Sequence, residues 1–115
     1  MSPLEMFFLL LAGHAVCDYA LQSRDMARAK NRNIKNDWLP PFSPPQAIWP
    51  FVLTAHALIH GGAVALVTNS VWCGIFETLA HGTIDFLKCE GRLTMRQDQF
   101  LHIFCKGVYV CVLSF

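Results

Sequence analysis

Apolar residues crowd four stretches of this chain, and polar residues collect between them. The stretches run from about residues 3–21, 45–68, 71–87 and 99–115. The first contains MFFLLLAGHAVCDYAL and the second IWPFVLTAHALIHGGAVALV. At ~1.5 Å per residue, helices of these lengths approach the ~30 Å thickness of a bilayer core. Each stretch is interrupted by ionisable groups, so a soluble bundle with a buried polar core is the competing arrangement. Span length favours the membrane. The expected fold is all-α, a four-helix transmembrane bundle formed by a single domain, residues 1–115.

The ends of the stretches carry matching signals. Trp38, Trp49 and Trp72 stand where interface anchors would stand. Pro40, Pro41, Pro44, Pro45 and Pro50 separate the first connection from the second helix, with Ser43 and Pro44 as its expected cap and first turn. The first stretch has no basic n-region, carries Glu5, and offers in HAVC a poor lipobox, so it reads as a retained helix.

Charge then orients the bundle. The connection spanning residues 23–43 holds Arg24, Arg28, Lys30, Arg32 and Lys35, and the connection before the fourth stretch holds Lys88, Arg92 and Arg96. The turn at Asn69 and Ser70 has no basic residue. The positive-inside bias puts the two basic connections in the cytoplasm and both termini outside, in a bacterial inner membrane. The basic segment SRDMARAKNRNIKND reads first as anchoring. Gathering an anionic substrate or lying on anionic headgroups is the alternative.

Composition changes little in this picture. The chain has 115 residues, 54% hydrophobic and 15% charged, with a net charge of +1. Such a balance offers no broad basic face to nucleic acid. There is no phosphate loop, no GxSxG and no CxxC. The five cysteines, Cys17, Cys73, Cys89, Cys105 and Cys111, stand singly and are expected to remain thiols.

The candidate chemistry lies in four pairs. His14 precedes Asp18, His56 precedes His60, His81 precedes Asp85 and Asp98 precedes His102, each by four residues. That spacing places both members on one helical face. One pair falls in each apolar stretch, and together they use all five histidines of the chain and three of its five aspartates. With alternate helices running in opposite senses, all eight meet in one layer toward the cytoplasmic side. Ionisable groups within a membrane cost about 2.5–3.5 kcal/mol each on insertion scales unless they meet a partner or a cavity.

Eight imidazole and carboxylate groups exceed one tetrahedral zinc site and suit two divalent transition-metal ions bridged by a carboxylate. Helical bundles build such sites from pairs on facing helices. The donor set suits zinc first, with iron, manganese or nickel as alternatives, and argues against calcium or magnesium. A hydrogen-bonded polar core or a proton relay is the alternative without metal.

HAVCDYALQ, HALIHG, HGTIDFLK and DQFLH together resemble a domain-of-unknown-function family of small bacterial and phage inner-membrane proteins, itself similar to membrane-bound metal-dependent hydrolases. The resemblance covers most of the chain outside residues 31–49. It implies a membrane bundle with metal at the eight positions. It names no substrate.

Other residues share the motif faces. Gln22 and Lys88 fall at the cytoplasmic mouth, where they could hold an anionic group, with snorkelling to the interface as the alternative for Lys88. Glu77 and Lys106 fall one turn deeper. They form either a buried ion pair, or a general base and an anion stabiliser. Gly13, Gly61, Gly62 and Gly82 adjoin motif histidines and would let helices approach closely.

Three functions follow. The first is a metal-dependent hydrolase acting on a phosphoester, or a similar anionic or lipid-linked small substrate, at the cytoplasmic leaflet. The second is a non-catalytic membrane effector, of host or phage origin, whose metal staples the helices. The third is a metal carrier or sensor, for which the outer halves offer little beyond Glu5, Thr54 and Thr68. The sequence leaves oligomeric state open.

Overall fold

The computed structural model describes residues 1–34 and 48–115. Lys35, Trp38, Pro40, Pro41, Pro44, Pro45 and the expected cap at Ser43 lie outside the described residues.

Every element among the described residues is helical: α1 (Pro3–Ala15), a π-helical turn (Val16–Ala20), α2 (Arg24–Ala29), α3 (Trp49–Thr68), α4 (Val71–Cys89) and α5 (Met95–Ser114). The local chemistry explains most of the boundaries. Ser2 and Glu5 form a capping box at the start of α1, with Pro3 in the first turn, where its missing N–H costs nothing. Pro50 does the same for α3, which therefore opens at Trp49 rather than at the expected Pro45. Ser70 caps α4 by accepting from the Cys73 amide at 3.3 Å. Thr94 and Gln97 cap each other's backbone at the start of α5, four residues earlier than the expected position 99. Gly91, with φ 76°, ends α4. The Gly91 and Arg92 amides donate to the Lys88 and Leu87 carbonyls, a Schellman closure that glycine permits.

Four long helices pack as an antiparallel square. α1 lies between α3 and α5, and α4 lies between the same two. The tightest seam joins α3 and α4. A Cβ at Gly74 would stand 2.7 Å from the Gly61 carbonyl oxygen and 2.8 Å from the Ala65 Cβ, so the two backbones meet where only glycine fits. Of the glycines expected to bring helices together, Gly61 does so. Gly13 and Gly82 make ordinary contacts, and Gly62 faces open space.

The interior is more polar than the exterior. Leu10, Val64, Cys73 and Tyr109 form a small apolar cluster toward one end. Elsewhere the buried positions are largely histidine, aspartate, glutamate and lysine, while Phe8, Phe51, Leu66, Trp72, Leu79 and Phe104 are exposed on the outer surface. One helix among the described residues, α3, is both long and apolar enough to cross a membrane. The five cysteines are free thiols.

Candidate metal centre

All four paired motifs converge. His56, His60, His81 and His102 are at most 2% exposed, Asp98 and Asp85 are 2% and 3%, and His14 is 7%. Asp18 is partly accessible. Its position depends on a feature with no sequence signal. The helix beginning at Pro3 widens into a π turn at residues 16–20, closed by the Leu21 amide donating to the Val16 carbonyl at 2.9 Å. Such widened turns are frequent at functional sites.

That turn aims the two oxygens of Asp18 in different directions. Oδ1 lies 2.8 Å from His60 Nε2 and 3.2 Å from His56 Nε2. Oδ2 lies 3.2 Å from His14 Nε2. Two groupings able to hold a metal ion result: Asp18, His56, His60 and His81, and His14, His81 and His102. Ligand atoms set about 2.0–2.2 Å from a tetrahedral ion stand roughly 3.3 Å apart, close to the separations around Asp18. The imidazoles lie against one another, with His60 and His81 stacked at 3.6 Å between centroids and His81 and His102 at 4.3 Å. Both ring nitrogens of His81, Nδ1 of His14 and His56, and Asp98 Oδ1 are buried without a hydrogen-bond partner. A polar interior normally satisfies such atoms, so a cluster of unsatisfied ones calls for an ion, water or catalytic role.

The remaining two aspartates differ from Asp18. Asp98 Oδ1 lies 3.4 Å from His102 Nε2, and its Oδ2 lies 3.8 Å from Lys88 Nζ. Asp85 Oδ2 lies 3.8 Å from His56 Nε2 and 4.0 Å from His81 Nε2, but accepts a 2.7 Å hydrogen bond from Lys30 Nζ. Lys30 was expected among the cytoplasmic basic residues of the first connection. It is buried instead, carried inward by α2.

Glu77 and Lys106 adopt the ion-pair alternative, both 1% exposed. Tyr109 completes the group by donating to Glu77 Oε2 at 2.7 Å. Glu77 Oε1 also faces His81 Nδ1 at 3.6 Å. Each Glu77 oxygen accepts one hydrogen bond, Oε1 from Lys106 and Oε2 from Tyr109, so both side chains of the expected pair are engaged with each other rather than turned into the histidine cluster. At the mouth, Gln22 donates to the Asp18 carbonyl at 3.3 Å, and Lys88 is about one-third exposed (32%).

Three residues of the centre were not foreseen: Lys30, Tyr109 and Gln99. The Gln99 amide nitrogen donates to Asp98 at 2.9 Å and Asp18 at 3.4 Å, while its oxygen lies 3.2 Å from His14 Nε2. Its place three residues before His102 was a usable signal. Lys30 had none, because α2 carries no apolar period.

Fold and centre together define a class: a helical bundle whose buried histidine and aspartate groupings can hold metal ions. The family model "Protein of unknown function (DUF3307)" matches residues 6–113, and the chain belongs to that family. No curated protein and no solved structure matches the chain.

Proposed function

We propose that this protein is a membrane-embedded dimetal protein that acts as a metal-dependent hydrolase on a phosphoester or similar anionic substrate at the cytoplasmic leaflet. The observation that carries the dimetal reading is Asp18, whose Oδ1 faces His56 and His60 while Oδ2 faces His14. A carboxylate so placed is suited to bridge two ions. His56, His60 and His81 would hold one ion, and His14 and His102 the other, with Asp98 beside His102. Zinc suits these donors best, then iron, manganese or nickel. Bound ions would supply Lewis acidity and an activated water. Gln22 and the partly exposed Lys88, which lie near Asp18 and Asp98, would hold an anionic group. Asp98 Oδ1, buried and 3.4 Å from His102 Nε2, would act with His102 at the second ion.

The membrane reading rests on the distribution of polarity. α4 and α5, with 19 and 20 residues, are long enough to span, and part of what lowers their hydropathy is buried, namely Glu77, Asp85, Asp98 and Lys106. Their outward residues, such as Ile75, Leu79, Phe100 and Phe104, are apolar and exposed. A second reading, a structural metal staple, is favoured by one fact: seven of the eight candidate ligands are less than a tenth exposed.

The test is elemental analysis of protein purified in detergent without chelator, followed by a phosphoesterase, esterase and amidase screen. About two transition-metal ions per chain are expected, with Asp18→Asn losing at least one together with any turnover. Absence of metal from the wild type removes the reading. Two ions without metal-dependent turnover assign the centre to the staple.

A further inference from the structure

The segment after the π turn closes over the centre and delivers a cation to it. Four contacts hold it. Lys30 Nζ donates to Asp85, Arg32 pairs with Glu90, and the Asn33 side-chain amide donates to the Cys89 carbonyl at 3.0 Å. The Arg32 guanidinium also lies over the rings of Phe86 and Trp49, at 5.2 and 5.9 Å from their centroids. Three of these contacts fasten the strap at the surface. The fourth places a buried ammonium inside, where an ammonium has little reason to be except the carboxylate it meets.

Among the described residues, Asp85 is the one motif aspartate with a lysine at hydrogen-bond distance. Its Oδ2 stands 3.8 and 4.0 Å from nitrogens of His56 and His81, two members of the Asp18 grouping, while Lys30 stands at 2.7 Å. An ammonium and a divalent ion compete for the same oxygen, and they repel each other across a dry interior. We propose that Lys30 is a built-in competitor for the metal centre: it holds Asp85 out of the coordination sphere of the ion at Asp18, His56, His60 and His81, and so keeps a coordination position free of protein. This rests on the dimetal reading and assigns Asp85 a role different from that of the other two aspartates. A free position is what separates a reactive zinc site from a closed one.

The test is zinc affinity, measured on the full chain in detergent by competition with a chelating dye. Lys30→Met should bind zinc about tenfold more tightly than wild type, because Asp85 is released to the ion. Lys30→Met with Asp85→Asn should return to within about threefold of wild type. Lys30→Gln removes the charge but can still donate to Asp85, so it folds even where the methionine leaves a buried carboxylate unpaired. It should show a smaller gain in the same direction. Damage to the fold would lower affinity in every variant, so a gain is a readout that a merely structural lysine would not produce. Lysine variants that bind zinc no more tightly than wild type overturn the proposal. So does a double variant that keeps the full gain, since Asp85 would then not be the group released. A wild type that binds no zinc overturns the dimetal reading itself.

Discussion

Glu77 shows how one residue's surroundings decide among the roles its sequence position allows. Its spacing from His81 placed it on the metal-facing side of α4, but the side chain of Lys106 and the Tyr109 hydroxyl take both its oxygens. A buried ion pair is costly to form and more costly to break on one side. Glu77→Gln leaves the Lys106 ammonium buried opposite a neutral amide, and should lower stability by about 3 kcal/mol or more. Combining it with Lys106→Met should recover most of that loss, because neither partner then carries an unmatched charge. Thermal unfolding of the two variants in detergent checks this, with metal content as a control that should not change in the double variant. The eight paired residues were legible because i, i+4 spacing needs only a helix to bring its members together. Gln99 shares that helical logic with His102 and could have been read the same way, whereas Lys30 enters the centre only through tertiary packing, and Tyr109 through its contact with Glu77 on another helix. Lys30 in particular sits in a basic segment where its residue type and spacing do not set it apart from Arg28 or Arg32.

Elements were legible to different depths. Existence and order of the four long helices follow from apolar runs of membrane-like length. Both starts differ by four residues: α5 opens earlier, in a polar first turn (Met95 to Asp98) that an apolar count passes over, and α3 opens later, at Trp49 with Pro50 in its first turn. The π turn left no trace in composition. The α3–α4 seam was half visible: Gly61 beside His60 was noticed, and its counterpart Gly74 was not. Gly74→Ala would drive a methyl against the Gly61 carbonyl and the Ala65 side chain, both at under 3 Å. Backbone cannot yield as a flexible side chain can, so a loss of about 1–3 kcal/mol is expected, with metal binding weakened as His60 and His81 are pushed apart. Gly62→Ala is the matched control. It meets nothing within 4 Å, so the helix should gain by up to about 1 kcal/mol. Comparable destabilisation by both substitutions would mean that α3 and α4 do not meet through Gly61 and Gly74.

At the scale of the whole molecule, polarity is sorted both radially and along the bundle axis. Radially, ionisable groups face inward and large apolar side chains face outward, the reverse of what water would stabilise and what a hydrocarbon surrounding would. Along the axis, the basic residues of the described connections, Arg24, Arg28, Arg32, Arg92 and Arg96, gather where α1 ends, α3 begins and α4 hands over to α5. The opposite end, with both termini and the Asn69–Ser70 turn, has none. Lys30 is subtracted from this count, because it is neutralised by Asp85 inside the bundle, yet the asymmetry survives without it. On the proposed membrane reading, the positive-inside bias puts both termini outside. Alkaline phosphatase fused after Phe115 should be active and a green fluorescent protein fused there dark, while a cysteine introduced at Arg92 should be labelled only after the cytoplasmic face is opened. The chain should also stay with the membrane through an alkaline carbonate wash. Recovery in the soluble fraction would discard the membrane reading. A cytoplasmic C-terminus would keep it but turn the bundle over, which moves the metal layer, Gln22 and Lys88 to the outer leaflet and changes the pool of substrates within reach.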